Sequence, residues 1–129
     1  MATEHFSDAE LACKCGCGFL PPQAEQDRLE RLRVAYGRPM RITSGGRCPD
    51  YNDKVSGTGR DGPHTKAAFD IEVNRGNAFD LMVLAPKFGF TGIGFKQNGV
   101  IRFIHLDALP NEIGQPRPTI WSYGKEPPK

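Results

Sequence analysis

The chain has only three histidines in 129 residues, and two of them stand in or just before an apolar stretch that also carries an acid. His64 stands in GPHTKAAFDI, six residues before Asp70, and His105 stands in RFIHLDA, two residues before Asp107. Imidazole nitrogen and carboxylate oxygen are donors that zinc takes at about 2.0–2.2 Å. A strand extended from His64 to Asp70 would hold them roughly 20 Å apart at ~3.3 Å per residue. The two can share a cation only if the chain folds back at Thr65-Lys66-Ala67 and His105 arrives from an adjacent strand. Spacing alone leaves two readings open. One is a His64/Asp70/His105 metal site; the other is a surface histidine and a hydrogen-bonded core histidine. Asp107 shares a strand face with His105, roughly 7 Å away. That suits a general base or a group that orients the imidazole. Arg47, in ITSGGRCPDYN, follows two glycines that let the backbone bend. It could fix a carboxylate or an oxyanion, or simply be a loop arginine. His5 has no evident partner.

A second cluster is sulfur. Cys13, Cys15 and Cys17 fall in CKCGCG, and Cys48 lies far along the chain. Cysteines spaced C-x-C rarely bridge each other, because a disulfide prefers Cα atoms about 5.5–6 Å apart. Reduced thiols, a disulfide from one of the three to Cys48, and a structural metal site all remain open.

The elements that must carry these groups follow from periodicity. Leu29, Leu32 and Tyr36 recur at helical spacing, so a helix is expected over 22–36, opened by the Pro21-Pro22 pair and stopped by Gly37. A short strand is expected over 39–44. Residues 45–65 lack periodicity and read as a long loop. The next strand, 66–73, places Phe69, Ile71 and Val73 on one face, with Ala68, Asp70 and Glu72 on the other. An apolar helix over 76–85 should end at Pro86. Strands are expected over 91–95, 100–108 and 119–123. In 100–108, Ile101, Phe103, His105 and Asp107 share a face opposite Arg102, Ile104 and Leu106. These segregated elements predict an α+β fold, a small antiparallel sheet with helices on one side. Its expected organisation is a cysteine-containing arm (1–20), one domain (21–123) and a flexible tail (124–129). Trp121 and Tyr123 are expected chiefly in the core, with a groove wall as the alternative.

Composition narrows the partners. The net charge is +2, and no basic patch is interleaved with aromatics, so no nucleic acid is expected. No apolar run approaches the ~20 residues of a membrane span. The polar, acidic start is unlike a secretory signal, so synthesis in the cytoplasm is expected.

Taken in order, these segments resemble the zinc D-Ala-D-Ala peptidases. That family includes D,D-dipeptidases, D,D-carboxypeptidases and phage endolysins that cut L-alanyl-D-glutamate bonds, and it shares its fold more distantly with the Hedgehog signalling domain. The likeness rests on Ser44-Gly45-Gly46-Arg47 with Asn52 five residues on, GPHTKAAFD, the glycine-rich GFTGIGF, RFIHLD and the opening HFSDAELACKCGCG. It spans about residues 5–123. It implies a zinc ion held by His64, Asp70 and His105, with Arg47, Ser44, Asn52 and Trp121 toward substrate. The implied substrate is a peptidoglycan stem peptide, cut by a monomer that works on the cell wall if it is a phage lysis enzyme. The sequence departs from the family pattern in three places. The His–Asp spacing is six instead of seven and lacks its turn glycine, Gly62 and Gly46 replace Ser and Tyr, and Arg102 stands where an acid is usual. By elimination Asp107 becomes the candidate base.

Overall fold

A computed structural model describes residues 1–124. Helix α1 (Asp8–Leu11) is a single turn closed by a reciprocal Ser7–Glu10 capping box. Helix α2 (Gln23–Tyr36) starts after Pro22 and ends where Gly37 enters the left-handed region at φ 72° and donates to the Arg33 carbonyl. Its face of Leu29, Leu32 and Tyr36 is buried, as the periodicity predicts.

Five strands form one sheet in the order β1-β2-β4-β3-β5. They are β1 (Arg41–Ser44), β2 (Ala68–Glu72), β3 (Gly92–Lys96), β4 (Phe103–Asp107) and β5 (Thr119–Ser122). The α+β class stands, but the sheet is mixed: β5 runs parallel to β3, while the other pairs are antiparallel. Strand β5 can run parallel to β3 because β4 has already brought the chain back: Asp107 and Thr119 both pair with Gly92, and residues 108–118 join them at that end as an irregular strap.

Alternation along β2 and β4 gives the sheet two unlike faces. Phe69 pairs with Leu106 and Ile71 with Ile104, and with Ile93 they join Leu29 and Leu32 of α2 and Leu81 of α5 (Arg75–Leu84) in the core. Burying each such side chain stabilises the fold by about 1.5–3 kcal/mol. This rigid layer fixes the register that sets Asp70 opposite His105 and Ala68 opposite Asp107 on the other face.

Other boundaries differ from expectation. The 45–65 segment is not all loop: it contains α3 (Pro49–Val55), and its end enters α4 (Pro63–Lys66). Both are too short for periodicity to reveal. Proline at the start of each helix and the Cys48 cap, whose sulfur accepts from the Tyr51 N–H, are what begin them. The long helices α2 and α5 cover the apolar face; α4 lies on the opposite one, where His64 meets Asp70 and His105. Strand β4 begins at Phe103, not at residue 100, because the Gly99 turn leaves Val100 and Ile101 exposed. Helix α5 ends at Leu84, just before Pro86 as expected, and a 3-10 turn, Ala85–Phe88, follows it. Phe6 and Leu11 of the arm are buried in the main core. The expected tail lies outside the described residues from 125 on. Among the described residues no helix is long and apolar enough to cross a membrane.

Candidate metal centre

The required reversal of the chain is present. Helix α4 is one turn, with Ala67 N–H donating to the Pro63 carbonyl at 2.9 Å and Thr65 Oγ1 to the Gly62 carbonyl at 2.7 Å. A helix rises only ~1.5 Å per residue, less than half the rise of a strand. Six residues therefore suffice to bring His64 Nε2 to 3.2 Å from Asp70 Oδ1. From the adjacent strand, His105 Nδ1 reaches the same oxygen at 3.1 Å. One donor atom from each of the three lies within 4.8 Å of the others.

The groups behind the imidazoles decide which nitrogens face the centre. His64 Nδ1 is 2.7 Å from the Gly45 carbonyl, which can only accept, so Nδ1 carries a hydrogen and Nε2 is the nitrogen that would face a metal. His105 is reversed: Nε2 donates to Asp107 Oδ2 at 2.8 Å, leaving Nδ1 for the centre. Two nitrogens and one oxygen converge, each ring is oriented from behind, and a cleft lies in front. This donor set fits zinc with an open coordination position.

Asp107 is fully buried, and both its oxygens are engaged. Arg117 Nε and Nη2 grip Oδ1 and Oδ2, each at 2.8 Å, and Oδ1 also accepts from Leu109 N–H. Burial opposes ionisation of Asp107, but the bonds from His105 and Arg117 outweigh it and lower its pKa to about 2. Asp70 is likewise held well below the usual carboxylate range: bonds from His105 and His64 overcome its burial. Burial works against charge on His105 too, yet its bonds to Asp107 and Asp70 raise its pKa. Of the two roles left open for Asp107, this geometry fits the orienting one.

Arg47 stands at the edge of the centre, its Nη2 3.9 Å from Asp70 Oδ2. Ser44 Oγ accepts from its Nε at 3.1 Å and Asn52 Oδ1 from its Nη1 at 3.3 Å. Ser44 and Asn52 thus hold the arginine. Asn52 is itself fixed, donating to Thr58 Oγ1 and the Gly59 carbonyl. Trp121 and Tyr123 are outside the core; they line the cleft, with the Trp121 ring 5.0 Å from that of His105. The cleft has a volume of about 890 Å³.

Sequence reasoning missed Arg117, which sits ten residues from Asp107 in a strap without periodicity. It also missed Lys66, Asp61 and Glu112, which line the cleft. The glycines of β3 gain a physical reason. A Cβ on Gly92 would run into Asp107 Oδ1 and the Arg117 guanidinium, and one on Gly94 into the Trp121 indole.

The peptidase M15 family profile matches residues 4–107, most of the chain and all three converging ligands. The chain belongs to the peptidase M15 family. The resemblance read from the ordered motifs is thereby borne out, and with it the assignment as a peptidase of that family. Comparison with curated proteins and with solved structures finds no match.

Proposed function

We propose that this M15 chain is a zinc peptidase that hydrolyses peptide bonds in peptidoglycan stem peptides at the bacterial cell wall. One observation carries the reading: His64 Nε2, His105 Nδ1 and Asp70 Oδ1 converge beside an open cleft. These three would hold the metal. Zinc bound there supplies a Lewis acid that activates water and polarises the scissile carbonyl. Asp107 fixes the tautomer and direction of His105, and Arg117 keeps Asp107 charged. Arg47 offers a guanidinium to an oxyanion or a substrate carboxylate. Trp121 and Tyr123 give a stem peptide an aromatic wall. Both oxygens of Asp107 are taken by His105, Arg117 and Leu109, which leaves it to orient rather than to move a proton; Asp61 and Glu112 are further carboxylates lining the cleft.

That same engagement of Asp107 favours a second reading, a zinc-binding relative that holds wall peptides without cutting them. One experiment separates the two. Zinc-loaded protein is incubated with purified peptidoglycan and with synthetic peptides ending in D-Ala-D-Ala or containing L-Ala-D-Glu, and products are weighed by mass spectrometry. The peptidase reading expects metal-dependent cleavage that vanishes in His105→Ala. Zinc bound at the His/Asp centre with every substrate intact would assign the non-cutting role.

A further inference from the structure

The sulfur cluster is as well gathered as the His/Asp centre. Cys13 Sγ lies 3.4 Å from Cys15 Sγ and 3.8 Å from Cys48 Sγ, and Cys15 Sγ lies 3.6 Å from Cys48 Sγ. With Cys17, all four sulfurs fall within 4.8 Å of one another. A disulfide needs about 2.05 Å, and all four cysteines are free thiols. The separations match instead the edge of a tetrahedron with 2.3 Å metal–sulfur bonds, about 3.8 Å. We propose that Cys13, Cys15, Cys17 and Cys48 form a structural tetrathiolate zinc site, separate from the His/Asp centre.

Surrounding backbone supports four thiolates. Cys48 N–H donates to Cys13 Sγ and Tyr51 N–H to Cys48 Sγ, both at 3.4 Å. Gly16 and Gly18, each at φ 87°, supply the left-handed turns that let a C-x-C-x-C segment curl round one point. Four thiols this close cannot all ionise unless a cation lies among them. Binding exchanges four thiol protons for one Zn²⁺, closing the coordination shell and leaving no place for substrate.

The location gives the site its purpose. Cys48 follows Arg47 and caps α3, whose Asn52 holds that arginine. On the other side, Gly46 N–H donates to the Leu11 carbonyl, and Cys13 N–H to the Phe19 carbonyl. The site therefore staples the arm to the segment that carries Arg47 and the Gly45 carbonyl behind His64.

The test uses the full chain, prepared reduced with zinc and read by metal content and by cobalt substitution. The wild type should hold two equivalents and, with cobalt, show strong thiolate-to-cobalt charge transfer. Combined His64→Ala and His105→Ala changes should leave one equivalent and the full band. Cys15→Ser with Cys17→Ser should leave one equivalent and abolish the band. A wild type without the band, or zinc content unchanged by the serine pair, overturns the proposal. Loss of the His/Asp metal alone leaves it standing, so failure of the catalytic reading is seen separately.

Discussion

His64, Asp70 and His105 are built on or against a packed sheet, whereas Cys13, Cys15 and Cys17 hang from irregular turns facing Cys48 at the start of α3. In the first cluster the register of β2 and β4, locked by Phe69, Ile71, Ile104 and Leu106 on the reverse face, sets positions before any metal arrives. Second partners then set direction: the Gly45 carbonyl for His64, and Asp107 with Arg117 for His105. In the second cluster Cys15 and Cys17 are exposed, and no strand fixes their approach. The difference teaches what each metal would do. A three-donor site beside a cleft has an open position for chemistry, while four sulfurs would close the shell and leave none.

His105→Ala should break the first cluster most severely. It removes a ligand and strands the Asp107–Arg117 pair. Cleavage should fall by on the order of 10³-fold, the equivalent of several kcal/mol. Thiolate-to-cobalt bands should persist in the same variant. If cleavage survives, the His/Asp centre is not where chemistry happens.

Asp107→Asn sharpens the contrast between a preset and an unset site. As a positioning residue, Asp107 should lower zinc affinity by about 10–100-fold when changed, with activity largely restored by added zinc. Unchanged affinity with a collapsed kcat would make it the base after all. Isothermal titration alongside kinetics distinguishes the two.

The pH response should separate the clusters further. In chelator-treated protein the raised pKa of His105 contributes stability that is complete below its ordinary 6.5 and lost as pH rises through the raised value. The depressed pKa of Asp107 acts oppositely, contributing above its usual 3.8 and failing as pH falls through about 2. These two groups therefore favour the metal-free fold most between about pH 4 and 6.5. Protons compete with zinc for His105, so affinity at that centre should weaken as pH drops. Thermal melts and zinc titrations across pH check both signs.

Arg41→Ala serves as the smallest change. Its partner Glu72 is 3.1 Å away but both side chains are well exposed, so stability should shift by less than about 0.5 kcal/mol and neither metal site should respond.

Much of this was legible from sequence where a period is long enough to read. The α2 stripe and its Gly37 stop, the alternation of β2, and the placing of His105 and Asp107 on one face all follow from spacing. The reversal at Thr65-Lys66-Ala67 was legible as a necessity, but its form as a helical turn was not. Helices α3 and α4 escaped because seven and four residues carry no usable stripe. Strand β5 could be read, but not its parallel direction, which depends on the path of the 108–118 strap. That strap also delivers Arg117 onto Asp107, so the engagement of the candidate base was invisible. Trp121 drew the core reading because aromatic strand residues usually face inward; opposite Gly94 it turns toward His105.

The central claim is that the His/Asp centre binds zinc in this one orientation. Anomalous diffraction at the zinc edge from crystals of the zinc-loaded protein tests it most directly. The account predicts a peak about 2.0–2.2 Å from His64 Nε2, His105 Nδ1 and an Asp70 oxygen, with the remaining position open to the cleft and Asp107 bonded to Arg117. No peak among these residues, or a zinc ion coordinated by Asp107 itself, would contradict it.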